Sequence, residues 1–460
     1  MRKWAIPLLI LALLAAAWAI NARFFRTGPP ADGDDRESRA NLDSDAAGPV
    51  AAGSVAGGLP TAEELRRNWP SFRGSDGSGV SAHADVPTEW DGASGMGILW
   101  KRATPLPGTN SPIVWQDRVF LSGATSDRRE VYCFDAESGK ILWRKEVAGD
   151  APRAASSVKV KVSKDTSFAA PTMATDGLRV YAMFATGDLA AFDFSGKEVW
   201  TRSLGIPKNN YGHASSLATH EGRVIVQFDQ GTAEDDRSKL LALDGATGKT
   251  LWQKTRRVPA GWCSPIVVER GSRPQIITCS DPWVIAYSAD SGNELWRASC
   301  LDPAEVGVSP VYSAGTVFAA NDYAALSAIR ADGTGDVSDT HIEWSADVGL
   351  PDICSPLVTD RFVLLLTSDG RLTCYDKTKG GDPLWGEDFP AEFVSSPSLV
   401  GDRVYLFSRE GKTWIVRPTR EKCQRIATAD LGEHCVTSPA FQDGRIYIRG
   451  KKHLFCIGTR

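Results

Sequence analysis

Two of the six histidines, His213 and His220, stand seven residues apart and are the first candidates for chemistry. A metal site would need a third ligand at matching spacing, none follows, and the reading is isolated histidines with no metal. The nine cysteines include no adjacent pair and no Cys-x-x-Cys-His, so no haem attachment is encoded. Cys133, Cys374 and Cys456 fall at equivalent strand positions of different repeats and read as small core residues. Cys263 and Cys279 differ, because a hairpin turning near Gly271 would set them opposite each other; a disulfide and two buried thiols both stay open.

The elements that must position any such site follow from composition and periodicity. The chain has 460 residues, 42% hydrophobic and 23% charged, which is globular composition. Its formal net charge of -4 carries no basic surplus for a nucleic-acid partner. Fifteen Trp against four Met is the one odd count, and Trp recurs at a fixed place in a repeat.

That repeat is marked by a Ser-Pro pair or its variant before an apolar strand. The marks are Ser111-Pro112, Ala170-Pro171, Ser215-Ser216, Ser264-Pro265, Ser309-Pro310, Ser355-Pro356, Ser396-Pro397 and Ser438-Pro439. Their intervals run from 41 to 59 residues, the period of a four-stranded propeller blade. A second register agrees: Trp100, Trp143, Trp200, Trp252, Trp296, Trp344 and Trp385, with Ile426 at the eighth place. Residues 242 to 252 read A-x-D-x-x-x-G-K-x-x-W, in which Gly248 suits a left-handed turn, Asp244 can accept from the turn amides, and Trp252 can cover the neighbouring blade. The fifth copy carries an insertion through Asp332 to Thr340. The sequence therefore predicts an all-β fold, one eight-bladed propeller of four-stranded antiparallel blades over residues 69–460. The last repeat lacks an outer strand, and the orphan segment 97–102 is expected to supply it and close the ring.

A propeller gathers one loop from every blade at its channel mouth. The expected rim is Asn110, Phe168, His213, Trp262, Cys354 and Ser395 before the inner strands. The neighbouring loops add Asp229, Gln230, Asp281, Trp283, Asn321, Asp322, Arg409 and Glu410. Trp, His, Asp and Asn there could hold a small ligand or grip a partner peptide.

Ahead of the propeller, residues 4–20 form an uncharged apolar run of 17 residues flanked by Arg2, Lys3, Arg23 and Arg26. Residues 1–26 read as an export signal, retained as a membrane anchor or cleaved after Ala17-Trp18-Ala19. Residues 27–68 read as a flexible tether rich in Gly, Ala, Pro and Asp, with a short helix expected near Glu63 to Asn68.

Residues 68–74 (N-W-P-S-F-R-G), 87–90 (P-T-E-W), 98–101 (I-L-W-K), 261–265 (G-W-C-S-P) and 453–458 (H-L-F-C-I-G) resemble those of bacterial PQQ-binding-like β-propeller repeat proteins, related to the outer-membrane assembly factor BamB. The resemblance implies the propeller fold and leaves activity open, since the scaffold hosts both dehydrogenases and non-catalytic assembly factors. A quinoprotein dehydrogenase of this kind would hold its quinone between a Trp and a disulfide of adjacent cysteines, beside Ca²⁺ bound by Glu, Asn and Asp. The chain has no adjacent cysteines. The function expected is therefore a membrane-tethered, exported, non-catalytic and monomeric scaffold on the periplasmic side. It would carry no cofactor and bind an envelope protein or other envelope component. The alternative is an oxidoreductase using PQQ with calcium, or another small ligand, in the channel.

Overall fold

A computed structural model of the chain describes residues 58–149, 162–163, 166–269, 273–303 and 305–459. The apolar run 4–20 and the tether up to residue 57 lie outside the described residues. Among the described residues no helix is long and apolar enough to cross a membrane. The helix Ala62–Arg67 opens on a capping box, in which Thr61 Oγ1 accepts from Glu64 N and Glu64 Oε2 accepts from Thr61 N.

Eight antiparallel sheets follow, as the two registers require. Blade 1 contains Ile113–Trp115, Arg118–Ala124, Arg129–Asp135 and Ile141–Glu146. The inner strands of blades 2 to 8 are Ala174–Thr175, Ala218–His220, Ile266–Val268, Val311–Ser313, Leu357–Val358, Ser398–Val400 and Ala440–Gln442. Blade 8 takes its outer strand from Ile98–Ala103, which pairs antiparallel with His453–Ile457 and sets Trp100 opposite Cys456. Middle strands bury both faces against neighbouring blades, as in Arg129–Asp135, whose Val131, Tyr132, Cys133 and Phe134 have no solvent exposure.

Each docking Trp reaches the following blade. Its indole N–H donates to the carbonyl that opens the next turn: Trp100 to Ala136, Trp143 to Phe194, Trp200 to Gly245, Trp252 to Ala289, Trp344 to Lys377 and Trp385 to Thr419. A bulge immediately before the Trp turns the side chain outward in blades 1 to 5 and 8. The turn glycine must be bare, since a Cβ on Gly248 would come within 2.6 Å of the Trp200 ring and its φ is +69°. Trp296 departs from the pattern. Its indole donates to Gln275 Oε1, and Gln275 Nε2 donates on to Ala331 O, so a glutamine relays the docking bond. The insertion noticed in the fifth copy sends Gly335–Asp336 to pair in parallel with blade 4's outer strand beside Trp296, whose side chain is fully buried.

The inner edge is a closed circle. Ser111 N donates to Thr172 Oγ1, and the chain continues from Thr172 to Ser216, Ser264, Ser309, Ser355, Ser396 and Ser438, each amide bonding the next hydroxyl at 2.9–3.1 Å. Ser438 N returns to Ser111 Oγ at 3.0 Å. This ring corrects two repeat marks: Thr172, not Ala170, and Ser216, the second residue of its pair, are the equivalents of Ser111. The hydroxyl is the constrained feature and the proline is incidental.

Candidate functional site

The channel is a cup. The segment Trp69–Ser81 crosses its far end, bonding Val114 of blade 1 and Thr175 of blade 2, then pairing Val80–Ser81 in parallel with Ser398–Val400 of blade 7. Midway along it, Arg73 is buried and its Nη2 donates to Pro356 O at 2.7 Å and Ser78 O at 3.1 Å. Burial pushes its guanidinium down to about 10. Phe72 faces the interior above this plug. The cavity over it has a volume of about 650 Å³, within the range of ligand pockets.

Its walls are the eight ring hydroxyls, and its mouth is formed by Tyr211, Trp262, Glu305, Asp322, Tyr323 and Asp352. Each ring hydroxyl accepts an amide proton, and none donates its own proton to a described acceptor. Trp262 is held by its indole N–H, which donates to Asn209 Oδ1 at 2.9 Å and Gly212 O at 3.2 Å, and its ring meets Tyr211 edge-on at 4.9 Å. Glu305 Oε2 accepts from the Tyr211 hydroxyl at 3.3 Å, and Asp322 Oδ1 from Asn321 Nδ2 at 2.9 Å. Asp352 accepts from Ser368 N at 3.1 Å and Oγ at 2.6 Å. Burial, then the charges of Asp352 and Glu305, raise the Asp322 carboxyl above the ordinary range.

Of the rim expected from sequence, the structure brings Trp262 and Asp322 to the cup. The others lie elsewhere. Asn110 is fully buried at the junction of blades 1 and 8, donating to Ser122 O and Ala169 O and accepting from Arg449. Phe168 packs into the core between blades 1 and 2. His213 is 1% exposed against Phe228, and neither ring nitrogen reaches a partner at hydrogen-bond geometry; burial pushes it down to about 4. Asp229 is buried 3.1 Å from Arg256 and accepts from Gln227 Nε2 at 2.7 Å. Burial holds its carboxyl up at about 6 against the pull of Arg256.

Gln230 accepts from Lys208 N on the preceding blade connection and donates to Arg237 O of its own loop. Asp281 leads through Pro282 into Trp283, over whose ring Arg297 lies at 5.0 Å. Asn321 is buried, and Arg409 pairs with Glu392 at 3.5 Å. Cys354 and Ser395 are buried as well, Cys354 Sγ donating to Ser395 O. Cys263 and Cys279 are free buried thiols in contact, Cys263 Sγ donating to Cys279 O at 2.8 Å. Among the described residues no three His, Cys, Asp or Glu side chains are grouped to hold a metal.

Sequence reasoning missed Phe72, Tyr211, Glu305, Tyr323 and Asp352. Tyr323 alone left a signal, as a large aromatic in a loop between strands. The acids come from separate loops that only the closed ring brings together.

The comparisons agree with this architecture. The chain is 26% identical to the outer membrane protein assembly factor BamB of Bordetella pertussis over 290 residues, covering 59% of this chain and 67% of that protein. Its fold is similar to the crystal structure of BamB from Moraxella catarrhalis, with a TM-score of 0.58 and 15% identity over 78% of this chain and 99% of that one. It is similar also to quinohemoprotein alcohol dehydrogenase from Comamonas testosteroni, with a TM-score of 0.64 and 14% identity over 86% and 81% of the two chains. The profile of the family described as outer membrane protein assembly factor BamB matches residues 84–262 and 280–460, and the chain belongs to that family.

Proposed function

We propose that this propeller is a non-catalytic scaffold of the cell envelope, carried by residues 4–22 on the periplasmic side of a membrane, that binds an outer-membrane assembly component through the mouth of its cup. The observation that carries this reading is the mouth itself: Tyr323 is 86% and Ile353 46% exposed beside the Tyr211–Trp262 pair, an aromatic and apolar rim around the cavity. The similarity to assembly factors named BamB supports it.

The dehydrogenase alternative rests on the shared fold. Pyrroloquinoline quinone is a tricarboxylate, whereas among the described residues the charged ones lining the cup are Glu305, Asp322 and Asp352, with no Lys or Arg. No cysteine lines the cup either, so the stacking disulfide that the resemblance implies has no counterpart there. These residues do not fit that cofactor. Reconstitution tests the choice: PQQ and Ca²⁺ are added to the purified protein, and cofactor absorbance and dye reduction with alcohols and sugars are measured. The scaffold reading expects no saturable uptake and no turnover; turnover abolished by Trp262→Ala would overturn it.

A further inference from the structure

The geometry of the cup points to one class of occupant, a basic loop or terminus of a partner polypeptide, with a Lys or Arg side chain held by Glu305 and Asp322 and flanking backbone carbonyls met by the hydroxyl ring. This inference rests on the scaffold reading above and names what its contact surface grips.

Charge selects the occupant first. Among the described residues Glu305, Asp322 and Asp352 are the charged ones of the cup, and none has a cationic partner there. Asp352 is spent on Ser368, but Glu305 and Asp322 each use one carboxylate oxygen and keep the other uncommitted. Like charges gathered in a partly desolvated cavity repel, and the raised Asp322 carboxyl reports that repulsion together with burial. An ammonium or guanidinium group relieves it through charge-assisted hydrogen bonds, whereas an anionic segment would add to it.

The ring supplies an independent demand. Ser111, Thr172, Ser216, Ser264, Ser309, Ser355, Ser396 and Ser438 are all more than nine-tenths buried, all line the same cavity, and each has an uncommitted O–H. Buried donors of this kind call for acceptor oxygens, which the carbonyls of an inserted peptide carry and a simple amine lacks. The rim supplies a third. Tyr323 and Ile353 expose apolar surface at the mouth, where a chain entering the cavity would cover it. Trp262, fixed by two hydrogen bonds, offers a rigid ring face to a cation and to the stem of a basic side chain.

The test titrates the purified full chain, by calorimetry at low and high salt, with an acetylated and amidated peptide Gly-Ser-Lys-Arg-Lys-Ser-Gly. The same peptide with Glu at the three basic positions and free spermidine serve as comparisons. Saturable binding of the basic peptide is expected, weaker at high salt. It should fall about tenfold in the double variant Glu305→Gln, Asp322→Asn, whose melting temperature should match the parent. Glu305→Lys, a single change at an exposed side chain, should abolish it. The inference is overturned if the basic peptide does not saturate, if the acidic peptide binds as well, if folded variants retain full affinity, or if spermidine binds as tightly as the peptide. A photo-crosslinker at Tyr323 separates the two readings. Crosslinks to an outer-membrane assembly component without peptide binding would sink this inference alone, and loss of both would sink the scaffold reading with it.

Discussion

Replacing His213 with Phe should remove most of the protein's sensitivity to mild acid from this group. The imidazole is buried against Phe228, and burial lowers its pKa from 6.5 to about 4. The unfolded chain therefore takes up the proton first, so the stabilisation is present above pH 6.5 and is lost as pH falls toward 4. With these two values, linkage gives a loss of about 2 kcal/mol between pH 7 and pH 5 from this group alone. Asp229 acts in the opposite sense. Burial raises its carboxyl from 3.8 to about 6, so the folded chain binds the proton first and gains about 1 kcal/mol over the same window as pH falls. The parent should consequently show a shallow pH dependence in which the two groups partly cancel, and His213→Phe should become relatively more stable at pH 5 than at pH 7. Urea unfolding of both proteins at the two pH values measures the difference. A gap between parent and variant that stays constant with pH would refute the reasoning, because it would mean that His213 does not titrate differently in the fold.

Three further outcomes follow from the docking geometry. Gly248→Ala should cost about 2 kcal/mol, since it adds a Cβ against Trp200 at a φ of +69°, whereas Gly95→Ala, at a φ of +81° with nothing within 4 Å, should cost about half that; thermal melts compare them. Gln275→Leu strands the Trp296 indole N–H and Ala331 O, and should destabilise by about 2–3 kcal/mol in denaturant unfolding. Trp100→Ala should cost about 3–5 kcal/mol, and deleting 97–104 should unfold the ring, because blade 8 would lose its outer strand as well as its docking bond to Ala136; an unchanged melting temperature would contradict this.

The blades were legible in the sequence because each is held by a local rule. Asp244, Gly248 and Trp252 lie within one hairpin, and the same spacing recurs wherever a turn must meet an indole. The repeat mark slipped at Thr172 and Ser216 because Ser-Pro was taken as the unit, while the structure conserves only an amide facing a hydroxyl around the axis. Gln275 could not have been anticipated, since its relay joins residues of two blades, Trp296 and Ala331, that no repeat spacing links to it. The cup was the least legible part. Phe72 reaches it on a segment that crosses the channel before the first blade, and Glu305, Asp322 and Asp352 converge through ring closure rather than through any spacing. His213 and Asp229 were drawn to the rim by their types and loop positions, but their side chains turn into the packing between blades, where burial rather than solvent sets their protonation.

The most direct test of the account is site-specific photo-crosslinking in cells, with the reactive residue at Tyr323 on the mouth or at Leu142, 46% exposed on the outer edge of blade 1. The account predicts a discrete crosslink to an outer-membrane assembly component from Tyr323 and none from Leu142. A silent mouth beside a reactive outer edge would contradict it.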